Sequence, residues 1–112
     1  MILYVNACAR PDSRTDRLAR ALLQKLGPYE ELRLYDEPLR PMDAHRIALR
    51  DALLSQKDYG AEMFRYARQF AAAEQIVLSA PLWDLSFPAQ LKIYLENIFV
   101  TGIATRYSEA GL

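Results

Sequence analysis

The sequence carries one cysteine, Cys8, one histidine, His45, and one tryptophan, Trp83, in 112 residues. A single cysteine forms no internal disulfide, which suits a reducing, cytoplasmic setting, and its simplest role is that of a small buried residue. One histidine and one cysteine supply no ligand cluster, so no metal site is expected; His45 is expected on the polar side of a helix. Net charge is also missing. Lysine plus arginine and aspartate plus glutamate number 14 each, so no overall field draws the chain toward nucleic acid or an anionic membrane. No apolar run is long enough to span a bilayer. The N-terminus, MILYVNACAR, lacks the basic segment and long apolar core of a secretory signal.

What remains is an ordinary globular composition, 52% hydrophobic and 25% charged, sized for one small domain with one core. Its pattern is regular. Ile2 to Val5 is a short apolar run that reads as a buried strand. The loop ACARPDSRT follows. Leu18, Leu22 and Leu26 then recur every four residues, flanked by Ala19 and Leu23, which predicts an amphipathic helix with these leucines inward. Asp12 or Ser13 caps its start and Gly27-Pro28 stops it. Leu32 and Leu34 alternate with charges in ELRLYD, a second strand. Two helical stretches are expected, Asp43 to about Leu54 and Asp58 to about Ala73. Gln75 to Ala80 is a third strand, apolar on both faces. Pro88 to about Val100 is a last helix, with Leu91, Leu95 and Ile98 on one side.

This alternation predicts an α/β fold: a doubly wound parallel sheet with right-handed crossovers and helices on both faces. The runs ILYV and IVLSA are apolar on both sides, as strands of such a sheet require. Open sheets of this type bind ligands beyond the carboxyl ends of their strands, where the strand order reverses. Two unusual loops sit at such ends, ACARPDSRT and PLWDLSFP. A strand order of 2-1-3 places them face to face.

On the first loop, Ser13, Arg14 and Thr15 stand at a helix start, where free N–H groups and the positive end of the helix dipole favour an anion. Their hydroxyls and guanidinium suit a phosphate. Serine and threonine are also the commonest helix caps, so on this loop alone capping is the favoured explanation. No G-x-G-x-x-G or Walker pattern is present, which argues against a dinucleotide Rossmann or P-loop site. On the second loop, Trp83 offers a ring to a flat heteroaromatic ligand, or packs over the sheet, while Asp84 or Ser86 caps the next helix. Together the loops describe a site for a mononucleotide with a planar head. A phospho-receiver shares the strand order but needs an acidic cluster where this chain has Asn6-Ala7-Cys8. A flavodoxin-type electron carrier is usually strongly acidic, unlike this neutral chain.

At these residues the sequence resembles the flavodoxin-like NAD(P)H:quinone oxidoreductases, which include FMN-dependent azoreductases. The resemblance rests on NACARPDSRTDRLA, APLWDLSFPAQLKIYLENIF and TGIATRYSEAGL and covers essentially the whole chain. It implies an FMN cofactor whose phosphate is held by Ser13, Arg14 and Thr15, and whose isoalloxazine lies along Pro81, Leu82, Trp83, Asp84 and Leu85. Azoreductases of the family commonly carry asparagine where Asp84 stands. The implied activity is hydride transfer from NADH or NADPH through flavin N5 to a quinone or azo acceptor. The cofactor carries the chemistry, so no catalytic side chain is named. The family fold has five strands in order 2-1-3-4-5, so residues 1–112 are expected to form the N-terminal part of one flavodoxin-like domain, truncated after the third strand–helix unit and lacking strands four and five. That leaves IVLSA with an exposed apolar edge, open to pairing. The family is typically dimeric, and a homo-oligomer is expected, with Tyr94, Ile98 and Phe99 serving either the core or an interface. The alternative is a flavodoxin-like fragment or interaction module that retains no FMN.

Overall fold

The computed structural model describes residues 1–82 and 86–104. Three strands, β1 (Ile2–Asn6), β2 (Tyr29–Arg33) and β3 (Gln75–Ser79), form a parallel sheet in the order β2-β1-β3. The register runs from Ile2 opposite Tyr29 and Gln75 to Asn6 opposite Arg33 and Ser79. Four helices accompany it: α1 (Arg14–Leu26), α2 (Ala44–Ser55), α3 (Arg65–Ala72) and α4 (Ala89–Ile98). This is the doubly wound arrangement that the alternation predicts.

Successive residues of the central strand face opposite sides of the sheet, and the two sides differ in chemistry. Leu3 and Val5 join Leu32, Tyr66, Leu91, Tyr94 and Ile98 in the main apolar core, which α3 and α4 cover. Tyr4 and Asn6 face the other way and meet Asp16 of α1. One layer is therefore oily and the other is built around buried polar groups.

Element ends depart from expectation in instructive ways. β2 begins at Tyr29 and stops at Arg33, because pairing ends where β1 ends; Leu34 stays fully buried but opens a 3₁₀ turn, Leu34–Asp36. The second helical stretch of the middle region begins late. A 3₁₀ turn at Glu62–Phe64 precedes α3, and the Arg68 guanidinium ties down the carbonyls of Tyr59 and Ala61 ahead of it. Pro88 caps α4, where its missing N–H costs nothing. Gly27 closes α1 with φ 116°, a left-handed-side geometry that disfavours a side chain, and its amide bonds Leu23 O. His45 is exposed and Cys8 is buried and free.

The leucine stripe of α1 is the main reversal. Leu18 is 75% exposed, and Leu22 and Leu26 also face solvent; the helix buries Asp16 and Leu23 instead. Leu18 lies two residues beyond Asp16, about 200° round the helix, so seating Asp16 against the sheet turns Leu18 outward. β3 ends the sheet among the described residues, and Leu78 on it is 49% exposed. Tyr94 and Ile98 of α4 belong to the core, and Phe99, just past the end of the helix, is exposed.

The Tyr94 hydroxyl is buried and has no hydrogen-bond partner among the described residues. Burial pushes its phenol up, with the neighbouring Tyr66 adding to the effect. A buried unpaired hydroxyl costs stability that an apolar ring of the same shape avoids. Tyr94→Phe is therefore expected to leave the denaturant midpoint unchanged or raise it, whereas Leu91→Ala beside it should cost about 2–5 kcal/mol; urea unfolding of the two variants checks both.

Candidate functional site

The loop after β1 reaches α1 through Ala7–Ser13. Ser13 caps the helix: its Oγ accepts the Asp16 N–H at 3.3 Å. A helix leaves its first amides without internal partners. Here the cap takes that of Asp16, and no acceptor among the described residues takes those of Arg14 or Thr15. These amides open onto a cleft of about 550 Å³ lined by Cys8, Ala9, Arg10, Asp12, Ser13, Arg14, Thr15, Arg17 and Pro81. Arg10, Arg14 and Arg17 form no ion pair among the described residues. Three guanidiniums against one carboxylate, Asp12, make this a positive mouth at a helix N-terminus. That donor set suits a phosphate monoester.

Of the residues singled out in the sequence, Ser13, Arg14, Thr15 and Pro81 share this cleft. Leu82 is exposed. Trp83, Asp84 and Leu85 lie outside the described residues, as does most of TGIATRYSEAGL. Pro81 lies two residues beyond the end of β3, so the two loops do meet at the carboxyl ends of β1 and β3. Sequence reasoning missed Arg10 and Arg17. Arg17 stands three residues after Arg14, a spacing that puts both on one side of a helix, and that signal was available.

Behind the cleft lies a polar cluster that composition does not announce. The Tyr4 hydroxyl donates to Asp16 Oδ1 at 2.6 Å and lies 2.6 Å from Ser79 Oγ. Arg20 Nε donates to Asp16 Oδ2 at 3.1 Å, and its Nη2 pairs with Glu31 at 3.0 Å. Asn6 donates to Asp16 and to Glu31 and accepts the Cys8 amide. Burial alone would lower the Arg20 guanidinium, but its bonds to Asp16 and Glu31 outweigh this and raise it. Burial, with the bond to Asp16, pushes the Tyr4 phenol above its ordinary value of 10.0.

A family model described as flavodoxin-like fold matches residues 1–112. The chain belongs to the flavodoxin-like family. Among relatives, it is 37% identical to FMN-dependent NADH:quinone oxidoreductase 2 of Clostridium acetobutylicum, over 98% of this chain and 58% of that protein. It is 33% identical to an FMN-dependent NADH:quinone oxidoreductase of Clostridium beijerinckii, over 98% of this chain and 60% of that one. The crystal structure of an azoreductase from Bacillus anthracis superposes with a TM-score of 0.83 at 26% identity, covering 98% of this chain and 60% of the other. This flavodoxin-like chain thus spans about three fifths of the length of the relatives it matches.

The raised Tyr4 phenol has a stability consequence with a definite sign. The folded state holds the neutral phenol more tightly than the unfolded chain does, so this contribution is complete below about pH 10 and is lost as pH climbs above it. Tyr4→Phe should lower stability at pH 7 by about 2 kcal/mol, since a hydrogen bond to a charged acceptor goes. It should also flatten the alkaline fall, as followed by urea midpoints measured from pH 7 to pH 11.

Proposed function

We propose that this chain is the FMN-binding portion of an NAD(P)H:acceptor oxidoreductase of the quinone- or azo-reductase type. The observation that carries the reading is the arginine-rimmed cleft at the N-terminus of α1, with Pro81 of the opposite loop on its wall. Ser13, Arg14 and Thr15 hold the FMN phosphate, aided by Arg10 and Arg17. The segment Pro81, Leu82, Trp83, Asp84 and Leu85 runs along the isoalloxazine. Bound there, FMN supplies the hydride-carrying ring, and the chain's own residues position it; no side chain is assigned as a catalytic nucleophile. The names of the relatives favour NADH as reductant, with NADPH the other candidate, and a quinone or azo compound as acceptor. The free buried cysteine suits a cytoplasmic protein.

A second reading rests on a different observation. The exposed leucines of α1 present apolar surface to water, as an element that packs against another chain would. A homo-oligomer follows from either reading, and an interaction module without FMN follows from this one alone.

Absorbance from 300 to 550 nm, recorded after FMN addition and gel filtration, separates them. Retained flavin bands that NADH bleaches support the oxidoreductase, and a protein that stays colourless even after high FMN concentrations leaves the interaction module. Arg14→Ala and Arg17→Ala should each weaken FMN binding about tenfold, in line with loss of one charge-assisted contact, and the loss should shrink as salt rises.

A further inference from the structure

The buried cluster behind the cleft has a geometry that packing alone does not require. Asn6 is 2% exposed and Asp16 is 7% exposed. Asn6 Oδ1 accepts the backbone amide of Cys8 at 2.9 Å, at the start of the cleft loop. Its Nδ2 donates to Asp16 Oδ1 at 3.3 Å, in the first turn of α1 where the loop ends. Both roles fix the orientation of this amide, because only the oxygen can accept an N–H and only the nitrogen can face two carboxylates. One side chain therefore joins the two ends of the loop.

Asp16 is held in turn from three sides: Tyr4 of β1, Arg20 one turn along α1, and, through Arg20, Glu31 of β2. Its own backbone amide is taken by Ser13, the residue at the mouth of the cleft. The Ala7 amide donates to Ser79 O at 2.8 Å and anchors the loop to β3 as well. A loop ordered in this way before a ligand arrives does not lose that freedom on binding.

We propose that Asn6 and Asp16 form a positioning clamp that sets the anion-binding conformation of the Cys8–Ser13 loop without touching the ligand. The clamp deepens the FMN reading and rests on it for the identity of the anion. Asp16 is a carboxylate in the first turn of the helix that receives a phosphate, so its charge by itself opposes binding. Its place there is explained by what it holds, with Arg20 offsetting the charge.

Asp16→Asn, which keeps the shape, and Asn6→Ala are titrated with FMN and with riboflavin, which differ by the phosphate, using flavin fluorescence. Amide exchange in the ligand-free protein is followed by NMR. The clamp predicts that both variants lose FMN affinity about tenfold relative to riboflavin, the scale of one hydrogen bond to a charged group. It also predicts that Asp16→Asn speeds exchange of the Cys8 amide more than that of the Leu3 and Val5 amides, although Asp16 makes no bond to Cys8. Equal weakening of both flavins, an unchanged ratio, or tighter FMN binding by Asp16→Asn would overturn it. If the wild-type protein fails to distinguish the two flavins, the phosphate reading falls. The exchange measurement then decides the clamp alone, and a Cys8 rate that merely follows Leu3 and Val5 refutes it. Asp16→Asn carries both measurements if Asn6→Ala does not fold.

Discussion

A single buried carboxylate governs how the α1 layer is built. Asp16 faces the sheet from a helix that has leucines available for the same purpose, and it does so because Tyr4, Asn6 and Arg20 offer it hydrogen bonds there. An ionised group in such a place is tolerable only when paired, and removing one partner of a buried pair costs several kcal/mol. Once Asp16 is seated, the rotation of α1 about its axis is set. Leu18 and Leu22 then point to solvent, and Ser13, Arg14, Thr15 and Arg17 are carried to the cleft mouth.

The two faces of the sheet accordingly do different jobs. On the α3 and α4 side, Leu3, Val5, Leu91 and Ile98 pack as an apolar core that specifies little beyond volume. On the α1 side, each buried polar atom must meet a partner of the right kind, which constrains geometry far more tightly. The cleft stands at the end of this constrained layer, where β1 and β3 deliver their loops. A site built on rigid elements and braced from behind holds its donors in place more precisely than one on a free loop.

Much of this architecture was legible in the residues. The apolar runs ILYV and IVLSA located two strands to within a residue, the alternation with helices implied a parallel sheet, and the order 2-1-3 came with the family resemblance. Ser13 was recognisable as a cap and Arg14 and Thr15 as its neighbours in one cleft. The rotation of α1 was not legible, because a leucine repeat reads as inward-facing unless the partner face is known to be polar. Tyr4 hid that information inside an apolar run: its ring counts as hydrophobic, but its hydroxyl recruits a carboxylate. The clamp was equally hidden, since Asn6 meets Asp16 only when α1 packs on the sheet, and both reach Glu31 only through parallel pairing of β1 with β2.

The outward leucines of α1 have a colloidal consequence. With a formal net charge of zero at pH 7, two copies approaching one another feel no long-range repulsion at neutral pH. The attraction between the exposed Leu18 and Leu22 side chains of α1 then dominates at short range. Solubility should pass through a minimum near neutrality and deepen in sulfate, which strengthens apolar association. Whatever covers those leucines would therefore also govern how concentrated the protein can become before it separates from solution.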